Sequence, residues 1–137
     1  MKVLADDSVA IWAGEQLGVT FQQPYTAFGF VRNNEIKGAV VFNDYYRGGN
    51  VGITYVGSRS FGKQQISFMC AFAFNELKAS RVTARTRRAN KVMRSMLPRF
   101  GFQYESTQKK FYGPEKGDDA LVFVMYPEDA QRWLRRI

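Results

Sequence analysis

Histidine is absent from the chain and cysteine occurs once, at Cys70. Without an imidazole, serine–histidine and cysteine–histidine nucleophilic schemes are excluded. An ordinary structural or catalytic zinc site is excluded too, because it needs several such ligands, so no metal is expected. Cys70 lies mid-helix in Ile66-Ser-Phe-Met-Cys-Ala-Phe-Ala-Phe74, among large apolar groups. Its thiol reads as core packing, with a raised pKa and low reactivity. Also missing is any apolar run of the roughly 20 residues that a membrane span needs. The start, Met1-Lys-Val-Leu-Ala-Asp-Asp7, is too short in its apolar run and too acidic for a signal peptide, so a cytoplasmic protein is expected. Repeats, linkers and low-complexity segments are lacking, and residues 1–137 read as one domain.

What is present is a core-forming composition with a surplus of cations. The chain has 137 residues, 45% hydrophobic and 15% aromatic, enough for a core without metal or disulfide staples. Acidic residues are the scarce charge: 12 against 20 basic ones, a net charge of +8, which points to an anionic partner. The cations concentrate from Arg81 to Arg99, at Lys109-Lys110, and from Arg132 to Arg136. A nucleic-acid face is one reading. Aromatics do not alternate with the basic residues as a stacking platform requires, so a basic surface with one phosphate-binding notch carries more weight.

Periodicity gives the order of elements. Residues 7 to 18 form an amphipathic helix, with Asp7 or Ser8 as cap, Gly18 as stop, and Val9, Trp12, Ala13 and Leu17 on its apolar face. Tyr25 to Val31 and Ile36 to Phe42 form a hairpin around Arg32-Asn-Asn-Glu35, and Asn43 to Asn50 turns into a third strand, Val51 to Val56. The turn Gly57-Ser-Arg-Ser-Phe-Gly62 leads to a long apolar helix from about Lys63 to Lys78. A strand from Arg81 to Thr86 follows. The next helix starts near Asn90, turns Val92, Met93, Met96, Leu97 and Phe100 inward, and is closed by Pro98 and Gly101. Strands at Gln103 to Tyr112 and Ala120 to Tyr126 and a short C-terminal helix from Pro127 complete the chain. The helix start after Gly62 and the basic end of the strand from Arg81 stand close in this order, a natural seat for a phosphorylated ligand.

Three pieces, in order and at matching spacing, carry a resemblance. They are Tyr55-Val56 with the turn to Gly62; Arg81-Val-Thr-Ala-Arg-Thr-Arg-Arg-Ala-Asn90; and Phe100-Gly101-Phe102 with Asp119-Ala-Leu-Val-Phe-Val-Met125. Through them residues from about 25 to 134 resemble the GCN5-related N-acetyltransferases, nearest to the branch of ribosomal-protein and other protein N-terminal acetyltransferases. The resemblance implies an α/β (α+β) fold, a mixed, splayed central sheet with helices on both faces. Its N-terminal part is shortened here, since the usual first strand reduces to Lys2-Val-Leu4. A shortened edge is one that a partner subunit can cover, so a homodimer is among the readings.

The resemblance also implies acetyl-CoA as acyl donor and an amine as acceptor: a protein N-terminus, a lysine or a small amine. Tyr55 and Val56 would pair their free backbone groups with the pantetheine amides. Arg59, Ser60, Gly62, Lys63, Gln64 and Gln65 form the phosphate loop, Asn90 reaches toward the cofactor arm, and Arg85, Arg87 and Arg88 contact the phosphates, against solvated surface for Arg87 and Arg88. The chain departs from the family pattern at Gln64, where a small residue is usual, at Leu97, where many members have a tyrosine, and at Gly52, where a glutamate is common. A coenzyme A-binding module without turnover, and a basic nucleic-acid-binding or interaction protein, are therefore the alternatives. With no histidine, a base must be a carboxylate, a tyrosine or ordered water. Asp44 is the carboxylate candidate, against a turn aspartate bonding its own backbone. Tyr55 is a candidate proton conductor, against strand packing. Tyr45 and Tyr46 either line an acceptor pocket or are surface turn aromatics. Asp118 and Asp119 either bind a cationic acceptor or serve a turn.

Overall fold

Alternating and continuous apolar runs fold into a seven-stranded sheet in the order β1-β2-β3-β4-β5-β7-β6. The computed structural model describes residues 2–57 and 60–135. Strands β1 (Lys2–Leu4), β2 (Thr26–Arg32), β3 (Glu35–Asn43) and β4 (Asn50–Val56) run as an antiparallel meander. The β2–β3 hairpin closes on Asn33 and Asn34, both at positive φ (55° and 64°), the backbone that a two-residue hairpin turn demands and that asparagine tolerates. Strand β5 (Arg81–Arg87) pairs in parallel with β4, while β7 (Ala120–Met125) pairs antiparallel with both β5 and β6 (Gln103–Gln108).

Helix α1 (Asp7–Leu17) covers one face of the meander, where Val9, Ala10 and Ala13 pack with Ala27, Ala39, Val41 and Val56. Its cap is Asp6 rather than Asp7 or Ser8. The extended backbone of Asp6 lets its carboxylate accept from the Ser8 amide at 2.8 Å, and Gly18 at φ 71° closes the helix. Leu17, expected on the apolar face, is 45% exposed. Helix α2 (Lys63–Cys70) and α3 (Lys91–Arg99) cover the other face over a larger core that includes Phe42, Ile53, Ile66, Met69, Val82 and Met125. The single helix expected to Lys78 widens into a π turn over Ala71–Glu76. Phe68 and Phe72 straddle Phe28 there, with ring centroids 4.9 and 4.8 Å away.

In α3 the Asn90 side chain caps by accepting from the Met93 amide at 3.2 Å. Pro98 sits inside the last turn; the helix closes at Gly101 (φ 101°), with the Phe102 amide returning to the Leu97 carbonyl at 3.0 Å. Val92 is 53% exposed, at the outer margin of the Met93–Leu97 stripe rather than within it. The strand expected to Tyr112 ends at Gln108, because Lys110 turns at φ 58° and its amide donates to Asp119 at 2.9 Å. Past Tyr126 the chain turns through Pro127–Ala130 into the short helix α4 (Gln131–Leu134). No helix among the described residues is long and apolar enough to cross a membrane.

The feature that creates the site is a parting of strands. Strands β4 and β5 pair only from Asn50–Arg81 to Ile53–Ala84. Beyond that rung β4 continues to Val56 paired with β3 alone, and β5 continues to Arg87 paired with β7 alone.

Candidate active site

A cleft of about 720 Å³ runs into this gap from the face that α1 leaves uncovered. Thr54 and Tyr55 line it from β4, Arg85 and Thr86 from β5, and Asn90 and Met93 from α3. Past the last rung, the inward backbone groups of β4 face a gap instead of a strand, so a ligand carrying amides can pair with them as an added strand would. Tyr55 stands at the gap with its hydroxyl 2.9 Å from Ser60 Oγ, and Ser60 in turn donates to the Gly57 carbonyl at 2.7 Å. Ser60 has one proton and spends it on Gly57, so Tyr55 is the donor of the pair. Burial pushes the Tyr55 phenol up to about 12, so at neutral pH it is a proton donor and not a base. Gly38 makes room for this pair, since a Cβ there would overlap both hydroxyls.

A second recess, about 950 Å³, opens at the N-terminus of α2. Val56, Gly57, Ser60, Lys63, Gln64 and Gln65 line it, joined by the cations Arg32 and Lys37 and by no carboxylate. Lys37 is paired with Glu35 at 2.7 Å, and Arg32 and Lys63 beside the positive end of the helix favour an anion. Gly57 adopts φ 87°, and an added Cβ would come within 2.5 Å of the Lys37 carbonyl, so only glycine fits this turn. The Gly62 amide donates to Gln65 Oε1 at 3.0 Å, which secures the first turn. Arg59 lies outside the described residues.

The floor of the cleft is a polar chain that sequence reading missed. Asn50 donates to the Asp44 carbonyl at 3.1 Å and accepts from Thr83 Oγ1; Thr83 accepts from Arg81 at 3.3 Å; Arg81 pairs with Glu105 at 2.7 Å. Asn50 reads from sequence as a turn residue only. The alternation Arg81, Thr83, Arg85, Arg87 on β5 was the available signal that one strand face is polar. A wall from the segment after β6 completes the cleft: Arg85 lies 4.5 Å over the Phe111 ring, and Arg87 lies 4.5 Å over Tyr112. Asp118 and Asp119 hold that wall, pairing with Arg87 at 2.9 Å and Arg88 at 3.1 Å. That is the turn role of the two readings open for them.

The remaining sequence candidates divide. Asp44, at φ 47°, lines both the cleft and a shallow adjoining pocket of about 450 Å³ that Tyr45 and Tyr46 share. The Tyr45 hydroxyl is tied to the Leu77 carbonyl at 2.7 Å, whereas Tyr46 is 73% exposed. Arg85, grouped by sequence with the phosphate loop, stands in the cleft and not in the recess that Lys63 lines. The physical reason is the pleat: Arg85 pairs with Val122 and points to the open face, while Ala84 and Thr86 point to the helices. Among the described residues no group of three or more metal-ligating side chains comes together.

No protein-family model matches the sequence, and no curated protein matches it. Solved structures do. The spermidine/spermine N-acetyltransferase SpeG from Vibrio cholerae superposes with a TM-score of 0.77 over 98% of both chains at 10% identity. The ribosomal-protein-S5-alanine acetyltransferase from Vibrio fischeri gives 0.65 over 77% of this chain at 20% identity, and the present chain spans only 63% of its length. A GNAT-family acetyltransferase from Bacillus anthracis gives 0.60 at 16% identity, covering 86% of this chain and 72% of the other. The chain has the fold of the GCN5-related N-acetyltransferases, a mixed sheet with helices on both faces.

Proposed function

We propose that the chain is an acetyl-CoA-dependent N-acetyltransferase that transfers the acetyl group to an amine by direct attack. The observation that carries this reading is that consecutive residues of one strand, Tyr55 and Val56, line the parted-strand cleft and the cation-lined recess. A molecule with phosphates at one end and an amide-bearing arm at the other fits that juxtaposition. Lys63, Ser60, Gln64 and Gln65 with Gly62 would hold its phosphates, the free backbone of Tyr55 and Val56 its amides, and Asn90 would flank the arm from α3. The bound thioester supplies the acetyl carbon.

The chain's own part is positioning and proton handling. The acceptor enters the open face, so that amine and thioester meet in the gap; holding the two together is itself worth a large share of the rate. The amine nitrogen forms the N–C bond as C–S breaks, and the proton shed by nitrogen ends on the departing sulfur. Tyr55, which lines the cleft and is protonated at neutral pH, is the donor candidate. Asp44, directly or through water, is the base candidate at the cleft edge, with Tyr45 and Tyr46 on the approach. The amine acceptors in the names of two neighbours, an alanine of a ribosomal protein and spermidine or spermine, support an amine as the acceptor class. The test is calorimetric titration of acetyl-CoA with free-thiol release followed in the presence of pooled amines. Binding with release is expected, and Lys63→Ala should weaken binding roughly tenfold, the value of one charge-assisted contact, without moving the urea midpoint. Absence of acetyl-CoA binding overturns the reading.

A further inference from the structure

Resting on the acetyltransferase reading, we infer that the acceptor is a small amine carrying a carboxylate, of amino-acid or dipeptide size, and that Arg85 holds that carboxylate. Three observations lead there. The first is position. Arg85 is the first β5 residue past the last β4–β5 rung, Ile53–Ala84, and its side chain stands on the open face, one pleat repeat or about 7 Å along the strand from Thr83. A group held by Arg85 therefore lies beside the gap where the two substrates meet.

The second is unspent charge. Arg81, Arg87 and Arg88 each pair with a carboxylate: Glu105, Asp118 and Asp119. Arg85 makes no ion pair among the described residues; its guanidinium lies over the Phe111 ring, which orients the fork without neutralising it. The donor does not need this charge, since Arg32 and Lys63 already line the phosphate recess, beside a Lys37 that is paired with Glu35. The third is composition. Of the two carboxylates that face the cleft, Glu105 is committed to Arg81 and only Asp44, which stands over Gly52 of β4, is left. A polycation would meet one free carboxylate and a bare arginine. An amine with its own carboxylate meets the complement, in a cleft of about 720 Å³ that suits a small molecule. A fixed cation at this point also disfavours the ammonium form of the nearby amine and so raises the fraction able to attack.

The test separates acceptor recognition from catalysis by using product-like ligands. An N-acetyl amino acid and its N-methylamide are titrated against the protein by NMR, in wild type and in Arg85→Gln, with the urea midpoint confirming that the variant is folded. The acid should bind at least tenfold more tightly than the amide. The Arg85→Gln variant should lose that preference while acetyl-CoA affinity stays unchanged. Thiol release should likewise favour a free amino acid or dipeptide over its amide and over a diamine. Equal binding of acid and amide, no binding of the acid at millimolar concentration, a preference that survives Arg85→Gln, or faster turnover of the diamine overturns the inference. Loss of acetyl-CoA binding with the acid preference intact would instead overturn the acetyltransferase reading alone.

Discussion

Along β4 and β5 the same strands build two regions of opposite character. Val51, Ile53, Val82 and Ala84 point toward α2 and α3 and are 0–6% exposed, inside a core where a missing methylene leaves a void. Asn50, Thr83, Arg81 and Arg85, their immediate neighbours, point to the open face, where the first three bond to one another and Arg85 lies over Phe111. Helix coverage assigns the roles. Where α2 and α3 lie on the strands, burial selects apolar groups and stability resides there. Beyond the reach of α1 the same sheet stays wet, and its polar groups are free to recognise a ligand.

Substitutions on the two faces should therefore separate stability from function. The largest effect is expected at Ile66, fully buried at the centre of the helix-covered face. Ile66→Ala should cost about 2–5 kcal/mol in urea unfolding, from lost transfer energy and the cavity left behind. A loss no greater than that of an open-face substitution would break the comparison.

Alkaline pH should act on the covered face next. Burial raises Tyr55 from 10.0 and Cys70 from 9.0, each to about 12, so the folded state keeps both protonated after the unfolded chain has begun to ionise. Their contribution is fully present below pH 9 and is lost as pH rises to 12, with Tyr55 alone accounting for about 2–3 kcal/mol. Unfolding followed from pH 8 to 12 should show this decline, and Tyr55→Phe should remove its upper part. A decline unchanged by Tyr55→Phe would mean that the gap wets Tyr55.

The smallest effect on stability is expected at Thr83. Thr83→Val removes the hydroxyl that links Asn50 to Arg81, and water can satisfy both, so the cost should stay near 1 kcal/mol or below. Acceptor KM should rise with acetyl-CoA affinity unchanged. A change in acetyl-CoA affinity instead would show that the polar floor serves the donor side.

Much of the architecture was legible because it is local. The β2–β3 hairpin follows from its two asparagines, the end of α1 from Gly18, and the start of α3 from Asn90, each a residue whose backbone or side chain answers a neighbour within a few positions. Misreadings came where a competing local partner or a distant one decided. Asp6 outbids Asp7 as cap, Val92 falls just off its stripe, and Asp119 folds Lys110 out of β6. Of the candidate site, the recess side lies in one turn, Gly57, Ser60, Lys63 and Gln64, whereas on the cleft side the sequence offered Asp44, Tyr55, Arg85 and Asn90 singly and not the polar floor that joins the strands.

Propensity, capping and pleat act over a few residues, so the elements, their order and the polar–apolar alternation of the strands follow from the chain's local chemistry. The sequence by itself also excludes histidine chemistry. Only the tertiary structure decided where β4 and β5 part, that Arg85 faces the cleft, and that Asn50, Thr83, Arg81 and Glu105 form one chain. Those bonds join residues 33 and 24 positions apart, and such pairs meet only when the sheet has brought their strands side by side.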